Sequence, residues 1–250
     1  MKTVLMPLPS TDFDPTESAV PWSILSAHGH HVIFATPDGK PGQADPRMVH
    51  GIGLGMLAPV LRADVNGQAA YARMIASREF KKPISYAEIV AKNFHGLILT
   101  GGHAQGMKPY LESPILQNAV ADFFIAAKPV GAICHGVVLA ARSKLPSGVS
   151  VLHGKKTTAL TQRMELSAWA LTCLWLKNYY RTYPQTVQAE VCAALAKRRD
   201  FIVGPLNTTR DSPDNLDIGF TVQDGNYLSA RWPGDAHRFA TEFAAMLAKS

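Results

Sequence analysis

In the stretch Pro129 to Ser143, PVGAICHGVVLAARS, an apolar run stops at Cys134, His135 follows at once, and beyond Gly136 the apolar spacing becomes that of a helix. A thiol and an imidazole where a buried strand turns into a helix can do covalent chemistry. A nucleophile on such a sharp turn stands above the sheet edge in strained backbone geometry. The N-terminus of the following helix adds positive potential, which favours thiolate over thiol. Gly136 relieves crowding in the turn, and His135 can shuttle a proton if its ring folds back to the sulfur. The competing reading of Cys134 is a buried structural cysteine. The order of the strands before it, and a glycine pair on the preceding one, favour the nucleophile. Cys173 and Cys192 lie within helical, largely apolar patterns and read as core cysteines.

A second candidate is TGGHAQGM, Thr100 to Met107, which directly follows an apolar run. Gly101 and Gly102 let backbone N–H groups approach a ligand closely, with His103 beside them. Ligands of a parallel sheet gather at the carboxyl ends of its strands. The alternative is a tight turn that needs positive φ. Two other motifs carry less. GIGLG, Gly51 to Gly55, follows no strand and lacks the G-x-G-x-x-G spacing, so it reads as a loop. His28, His30 and His31 in AHGHH fit a helix C-terminus, where imidazoles complement the carbonyl dipole, better than a metal site. With no Cys-x-x-Cys pair and no His-Glu-x-x-His, neither a metal nor another cofactor is expected.

The elements that must position these residues follow from apolar patterning. TVLMPLP is a buried strand. DPTESAVPWSILSAHG is a helix with Asp14 as N-cap, Pro15 in its first turn, Glu17 at the third position and Gly29 closing it, although Pro21 interrupts the pattern. HVIFATP is the next strand, so the chain opens as a parallel α/β unit. Residues 40–93 break the rhythm and read as an insertion, helical around AAYARMIASREF and SYAEIVAKN, a candidate lid or dimer surface. GLILTGG and PVGAIC are buried strands separated by the helix SPILQNAVADFFIAAK, capped by Ser113. SVLHGKKTTALT reads as one or two short strands. RMELSAWALTCLWLKNYY and TVQAEVCAALAKR read as helices. GFTVQDGNYLSAR is a hairpin around Asp224-Gly225, and DAHRFATEFAAMLAKS a closing helix.

With 250 residues, 47% apolar and 18% charged, the chain can bury a large core. Its net charge of +6 comes from scattered basic residues without interleaved aromatics, which argues against nucleic acid and leaves a mild bias toward anionic small molecules. Three cysteines make no disulfide framework, so a cytoplasmic setting is expected. The N-terminus reaches proline too soon for a signal-peptide core, and no stretch is long and apolar enough to cross a bilayer.

Glu17 on the first helix, TGGH after the third strand and AICHG at the elbow together resemble the ThiJ/PfpI superfamily, the class I glutamine amidotransferase-like fold. FATPDGKP, ADPRM and SARWPGDAHRFA resemble its branch of heat-shock chaperones and glyoxalase III enzymes, also described as deglycases. The resemblance covers nearly the whole chain. It implies one α/β domain over residues 1–250, a flavodoxin-like three-layer α/β/α sandwich with a mostly parallel sheet and a helical insertion at about 40–93. It implies Cys134 as nucleophile, His135 as proton-transfer partner, Glu17 as a protonated carboxyl against the sulfur and Glu165 as the acid that orients the histidine. Gly102 and His135 would supply the oxyanion N–H groups. The implied function is a cofactor-independent conversion of an α-oxoaldehyde such as methylglyoxal to its hydroxy acid, and the expected partners are that small aldehyde and a second copy of the chain in a homodimer. The alternatives are a PfpI-type cysteine amidase or peptidase, and a stress-response holdase chaperone or redox sensor with Cys134 as its oxidisable site. Two departures stand out. No His-x-Glu pair occurs late in the chain, which disfavours amide transfer from glutamine, and Ala104 stands where several relatives carry glycine. Glu17 also suits a capping box, and Glu165 a helix first turn, without any catalytic role.

Overall fold

A computed structural model describes residues 1–206 and 208–250. The chain begins β1 (Thr3–Pro7), β2 (Thr11–Phe13), α1 (Pro15–Ala27) and β3 (His31–Thr36). The segment read as an insertion holds β4 (Gln43–Ala44), α2 (Pro46–His50), α3 (Ala58–Leu61), α4 (Val65–Ala76), α5 (Arg78–Lys81) and β5 (Ile84–Ser85). Then follow β6 (Gly96–Leu99), α6 (Lys108–Leu111), α7 (Pro114–Ile125), β7 (Val130–Ile133) and α8 (Gly136–Arg142). The last part contains α9 (Gln162–Leu176), α10 (Val187–Ala194), the hairpin β8 (Thr221–Asp224) and β9 (Tyr227–Ala230), and α11 (Ala236–Lys249).

Seven strands form one sheet in the order β5-β3-β1-β6-β7-β9-β8, parallel except for β8. The strands β1, β6 and β7 carry helices on both faces, which is why they are short, continuous apolar runs. Helices α1, α4 and α11 pack on one another over one face, and α7, α8 and α10 over the other. This is the α/β/α sandwich expected from the sequence. The chain runs from β1 to β3 on one side and returns to β6 on the other. The resulting crevice at the carboxyl ends of β1 and β6 is where such folds place ligands.

Most expected elements form where their signals lie. Asp14 caps α1 by accepting from the N–H groups of Thr16 and Glu17, at 2.8 and 3.0 Å. Gly29, at φ +75°, ends that helix, and the β8–β9 turn runs through Gly225 at φ +61°. Three readings change. SYAEIVAKN is not one helix: Ile84 and Ser85 add a strand to the sheet edge, the Tyr86 hydroxyl donates to Leu8 O at 2.5 Å, and only two single 3-10 turns, Tyr86–Glu88 and Ala91–Asn93, follow. SVLHGKKTTALT forms turns with isolated bridges at Ser150 and Thr157 rather than strands. Cys173 is half-buried and outside the core, because it sits at the flank of a helix lying on the surface, while Cys192 is half-buried and packs against the edge of the core.

Candidate active site at the elbow

Cys134 adopts φ +56°, a left-handed conformation that costs an L-residue about 1–2 kcal/mol. The turn is over-determined on both sides. Cys134 N–H donates to Ala230 O at 3.1 Å, which locks the end of β7 to β9. On the other side, Gly136 passes so close to β6 that an added Cβ would lie 2.2 Å from Leu99 O. The strain is thus held by the sheet on one side and by a glycine on the other.

Three groups converge on the sulfur. The first is Glu17, fully buried on α1. Its Oε2 lies against the Gly101 backbone, where an added Cβ would stand 2.4 Å from that oxygen and 2.8 Å from Cys134 Cβ. Only glycine at 101 lets carboxyl and thiol share this space. The capping-box reading of Glu17 fails, because the Asp14 N–H it would have to accept donates instead to Gly101 O at 2.9 Å. Neither oxygen of Glu17 meets hydrogen-bond geometry with a protein group, though the thiol and the Gly101 backbone face it. Burial, and then the charge of Asp14, push the Glu17 carboxyl well above the usual carboxylate range, so it is neutral and can donate to sulfur.

The second group is His135. Its Nδ1 stands 3.5 Å from Cys134 Sγ. Its Nε2 stands 3.1 Å from the Thr182 hydroxyl, which itself lies 2.5 Å from His103 O. A threonine hydroxyl has one proton. The carbonyl can only accept, so that proton goes to His103 O, and the oxygen accepts from His135 Nε2–H. The tautomer follows: Nδ1 carries its lone pair toward the thiol and can take its proton. Burial pulls the imidazole down to about 3, so it is neutral and free to accept.

The third group is the glycine turn. Gly102 takes φ +153°, with Asp12 O 2.5 Å from where a Cβ would sit. Among the described residues its N–H has no protein acceptor, and the His135 N–H faces the sulfur. Two such donors beside a nucleophile are what an oxyanion needs. His103 stacks on Tyr180 with ring centroids 4.4 Å apart, and burial pulls it down to about 4. The thiol itself is not held low. Burial, with the carboxylate charges of Glu17 and Asp14 behind it, pushes Cys134 up, and the seven-residue α8 does not reverse this. Neutralising Glu17 removes the larger of those charges.

Glu165 does not orient His135. Its Oε1 pairs with Arg181 Nε at 3.1 Å, and its Oε2 accepts the Val187 N–H at 2.9 Å, tying α9 to the start of α10. Thr182 holds the histidine instead. Glu165 still lines the cavity of about 390 Å3 onto which Cys134, Glu17, Gly102 and His103 open. The sequence reading missed Thr182, and also Asp14 as more than a cap: it lines the same cavity, and burial pushes its carboxyl up to about 6. It missed Arg210 and Trp232 as well. Thr182 and Arg210 stand in loops with no motif around them, and Asp14 and Trp232 lie in motifs that do not show which cavity they line; only the folded chain brings the four together.

No group of three or more histidine, cysteine or acidic side chains among the described residues is arranged to hold a metal ion. His28 Nδ1 bonds Ile24 O at 2.8 Å and His30 Nδ1 accepts the Lys2 N–H at 3.3 Å, so those rings close helix and strand ends.

Known proteins share this arrangement of elements. The 24-kDa Rapid Encystment Protein of Francisella tularensis superposes with TM-score 0.72 at 19% identity, over 99% of each chain. Glyoxalase III from Candida albicans superposes with TM-score 0.65 at 19% identity, over 98% of this chain and 97% of that one. Drosophila melanogaster DJ-1beta gives TM-score 0.57 at 16% identity, over 100% and 91%. At these identities the likeness establishes the fold. In sequence, an uncharacterized protein of Schizosaccharomyces pombe is 29% identical over 118 residues, 46% of this chain and 43% of that protein's length. The family model described as ThiJ/PfpI family-like matches residues 8–205. That span takes in the first helix, the glycine turn and the elbow, and it makes this chain a member of the ThiJ/PfpI-like family.

Proposed function

We propose that the chain is a cofactor-independent enzyme that converts α-oxoaldehydes to hydroxy acids through Cys134. One observation carries the reading. A strained cysteine stands between a neutral buried carboxyl and a neutral imidazole whose free lone pair faces the sulfur. The thiol adds to the aldehyde carbon while His135 Nδ1 takes its proton, and the oxyanion forms against the N–H groups of Gly102 and His135. The oxyanion takes a proton from protonated His135 or from Glu17, which gives a hemithioacetal and leaves that group free to act as a base. That base moves the C–H proton of the thiol-bearing carbon to the neighbouring carbonyl carbon, and the hydroxyl proton passes to that carbonyl's oxygen, leaving a hydroxyacyl thioester. Water then adds to the thioester, and the hydroxy acid leaves with the thiol restored. No electrons enter or leave.

The test is purified protein with methylglyoxal and no glutathione, followed by lactate detection. Wild type is expected to form lactate and Cys134→Ser to form none, since a serine hydroxyl without a strong base is a poor nucleophile. Glu17→Gln separates the two bases. A loss of roughly a hundredfold or more makes Glu17 the proton carrier, and a small loss leaves that step to His135. Cleavage of model amides by a wild type inert toward aldehydes would replace this reading with that of a cysteine amidase.

The holdase reading has its own support. Met56, Val60, Leu171 and Leu174, on α9 and on the segment facing it, are all more than half exposed, with Leu174 at 93%. Trp175 Nε1 ties the two segments together by donating to Gly53 O at 2.9 Å.

A further inference from the structure

The cavity at Cys134 is larger and more apolar than a three-carbon aldehyde requires. About 390 Å3 lies within the range of ~300–1,000 Å3 typical of small-molecule sites. Met48, Leu61, Leu160, Met164 and Ala168 form much of its wall. Of the three arginines that line it, Arg231 is paired with Asp235 and Arg163 is exposed, which leaves Arg210 against that wall. Arg210 Nη2 donates to Arg62 O at 3.0 Å, and its guanidinium lies 5.2 Å over the Trp232 ring, so the head is fixed in place. Nη1 is buried and has no hydrogen-bond partner. Among the described residues no carboxylate lies within ion-pair distance of Arg210. The nearby carboxyls are engaged or neutral. Asp14 is held by two α1 N–H groups, Glu165 by Arg181, and Glu17 keeps its proton.

Two more donors on the same wall are unpartnered. Tyr180, more than nine-tenths buried, leaves its hydroxyl without a protein partner, and Trp232 leaves its Nε1–H so. A buried polar group left unpaired is destabilising, and native chains rarely carry several around one cavity unless something else pairs them. The arginine fork, an indole N–H and a phenol are all groups that can donate to a carboxylate. Arg163, exposed at the same cavity's lining, adds positive charge.

We propose that Arg210, with Tyr180 and Trp232, forms a carboxylate-binding subsite, and that the substrates are α-oxoaldehydes carrying an anionic group at the far end of an apolar body. The chemistry at the sulfur rests on the function proposed above; the subsite does not, and it is tested without turnover. Benzoate and benzamide are inert probes of the same shape that differ in charge. Calorimetry on the wild-type chain is expected to show benzoate binding at least tenfold more tightly than benzamide. Bound benzoate is expected to slow alkylation of Cys134 by iodoacetamide, which locates it in this cavity. Arg210→Met is expected to abolish the preference and Arg210→Lys to keep part of it. Trp232→Phe, which retains the ring under the guanidinium but loses Nε1–H, is expected to weaken benzoate severalfold even if Arg210→Met does not fold. Equal binding of the two probes, a preference that survives Arg210→Met, or benzoate that leaves Cys134 alkylation unchanged would overturn the subsite. Failure of the aldehyde assay alone would strike the reaction and leave the subsite standing.

Discussion

Asp14 and Glu17 stand three residues apart on the first turn of α1, yet burial asks different things of them. Glu17 gains no hydrogen bond and stays neutral. Asp14 receives two backbone N–H groups, which favour its charge, but desolvation still wins and its carboxyl is pushed up to about 6 from 3.8. The folded state therefore binds this proton more tightly than the unfolded state does. The favourable contribution is complete below the unfolded value and is lost as pH rises through about 6. Asparagine caps a helix as well as aspartate does and never ionises. Asp14→Asn is expected to be more stable than wild type by up to about 3 kcal/mol at pH 8, with the gain falling below about 2 kcal/mol at pH 5. Urea midpoints at the two pH values check this, and a gain independent of pH would mean that Asp14 is not the titrating group. A different dependence governs Thr182, which touches no reacting atom and positions His135. Thr182→Val keeps the shape and leaves the buried Nε2–H unpaired, so the tautomer is no longer fixed. Cys134 alkylation and turnover are expected to fall by roughly a hundredfold, the low end of what a positioned base contributes, and Thr182→Ser should restore both. Nitrogen chemical shifts of His135 read the tautomer directly, which a merely structural role for Thr182 would leave unchanged.

At the scale of elements, the site is a joint between β6, β7, α1 and α8, and its parts were unequally legible. The elbow, the glycine turn and the cap of α1 are local: a strand's apolar run, a Gly-Gly pair, Asp before Pro. Such signals depend on neighbours in the chain, and they stood where the sequence put them. Partnerships between distant elements do not. Glu165 in the first turn of α9 fits a histidine-orienting acid by motif, but its charge is taken by Arg181, in the turn after the same helix. Nothing in QRMEL reveals where that turn returns. Thr182 enters the site through the same turn, which follows Lys177 at φ +52°. Strain at the elbow has a measurable consequence. Glycine at 134 escapes the left-handed penalty of about 1–2 kcal/mol but has about 0.5–1 kcal/mol more entropy to lose. Cys134→Gly is therefore expected to be more stable than Cys134→Ala by about 0.5–1 kcal/mol, measured by thermal or urea unfolding. Equal stability would show that the turn relaxes once the sulfur is gone.

Across the whole molecule, the parallel order of strands could be read from the alternation of apolar runs and helices. The cavity could not, because it is assembled from loops that meet only in the folded chain: Gly102 after β6, Thr161 before α9, Arg210 before the final hairpin and Trp232 after it. The same folding leaves apolar side chains outside the cavity on α9 and on the segment from Ile52 to Met56. Scattered exposed apolar residues are ordinary. Here two of the most exposed, Met56 at 97% and Leu174 at 93%, lie on segments joined by the Trp175–Gly53 bond, which makes the surface a test of holdase activity separate from chemistry. Neither side chain lines the cavity. The double variant Met56→Gln and Leu174→Gln should fold and turn over aldehyde as wild type does, since both positions are solvated. If this surface captures unfolding clients, light scattering of a heat-denatured client should be suppressed by wild type and severalfold less by the variant. Equal suppression by the two would move client binding elsewhere on the molecule, and no suppression by wild type would remove the holdase reading.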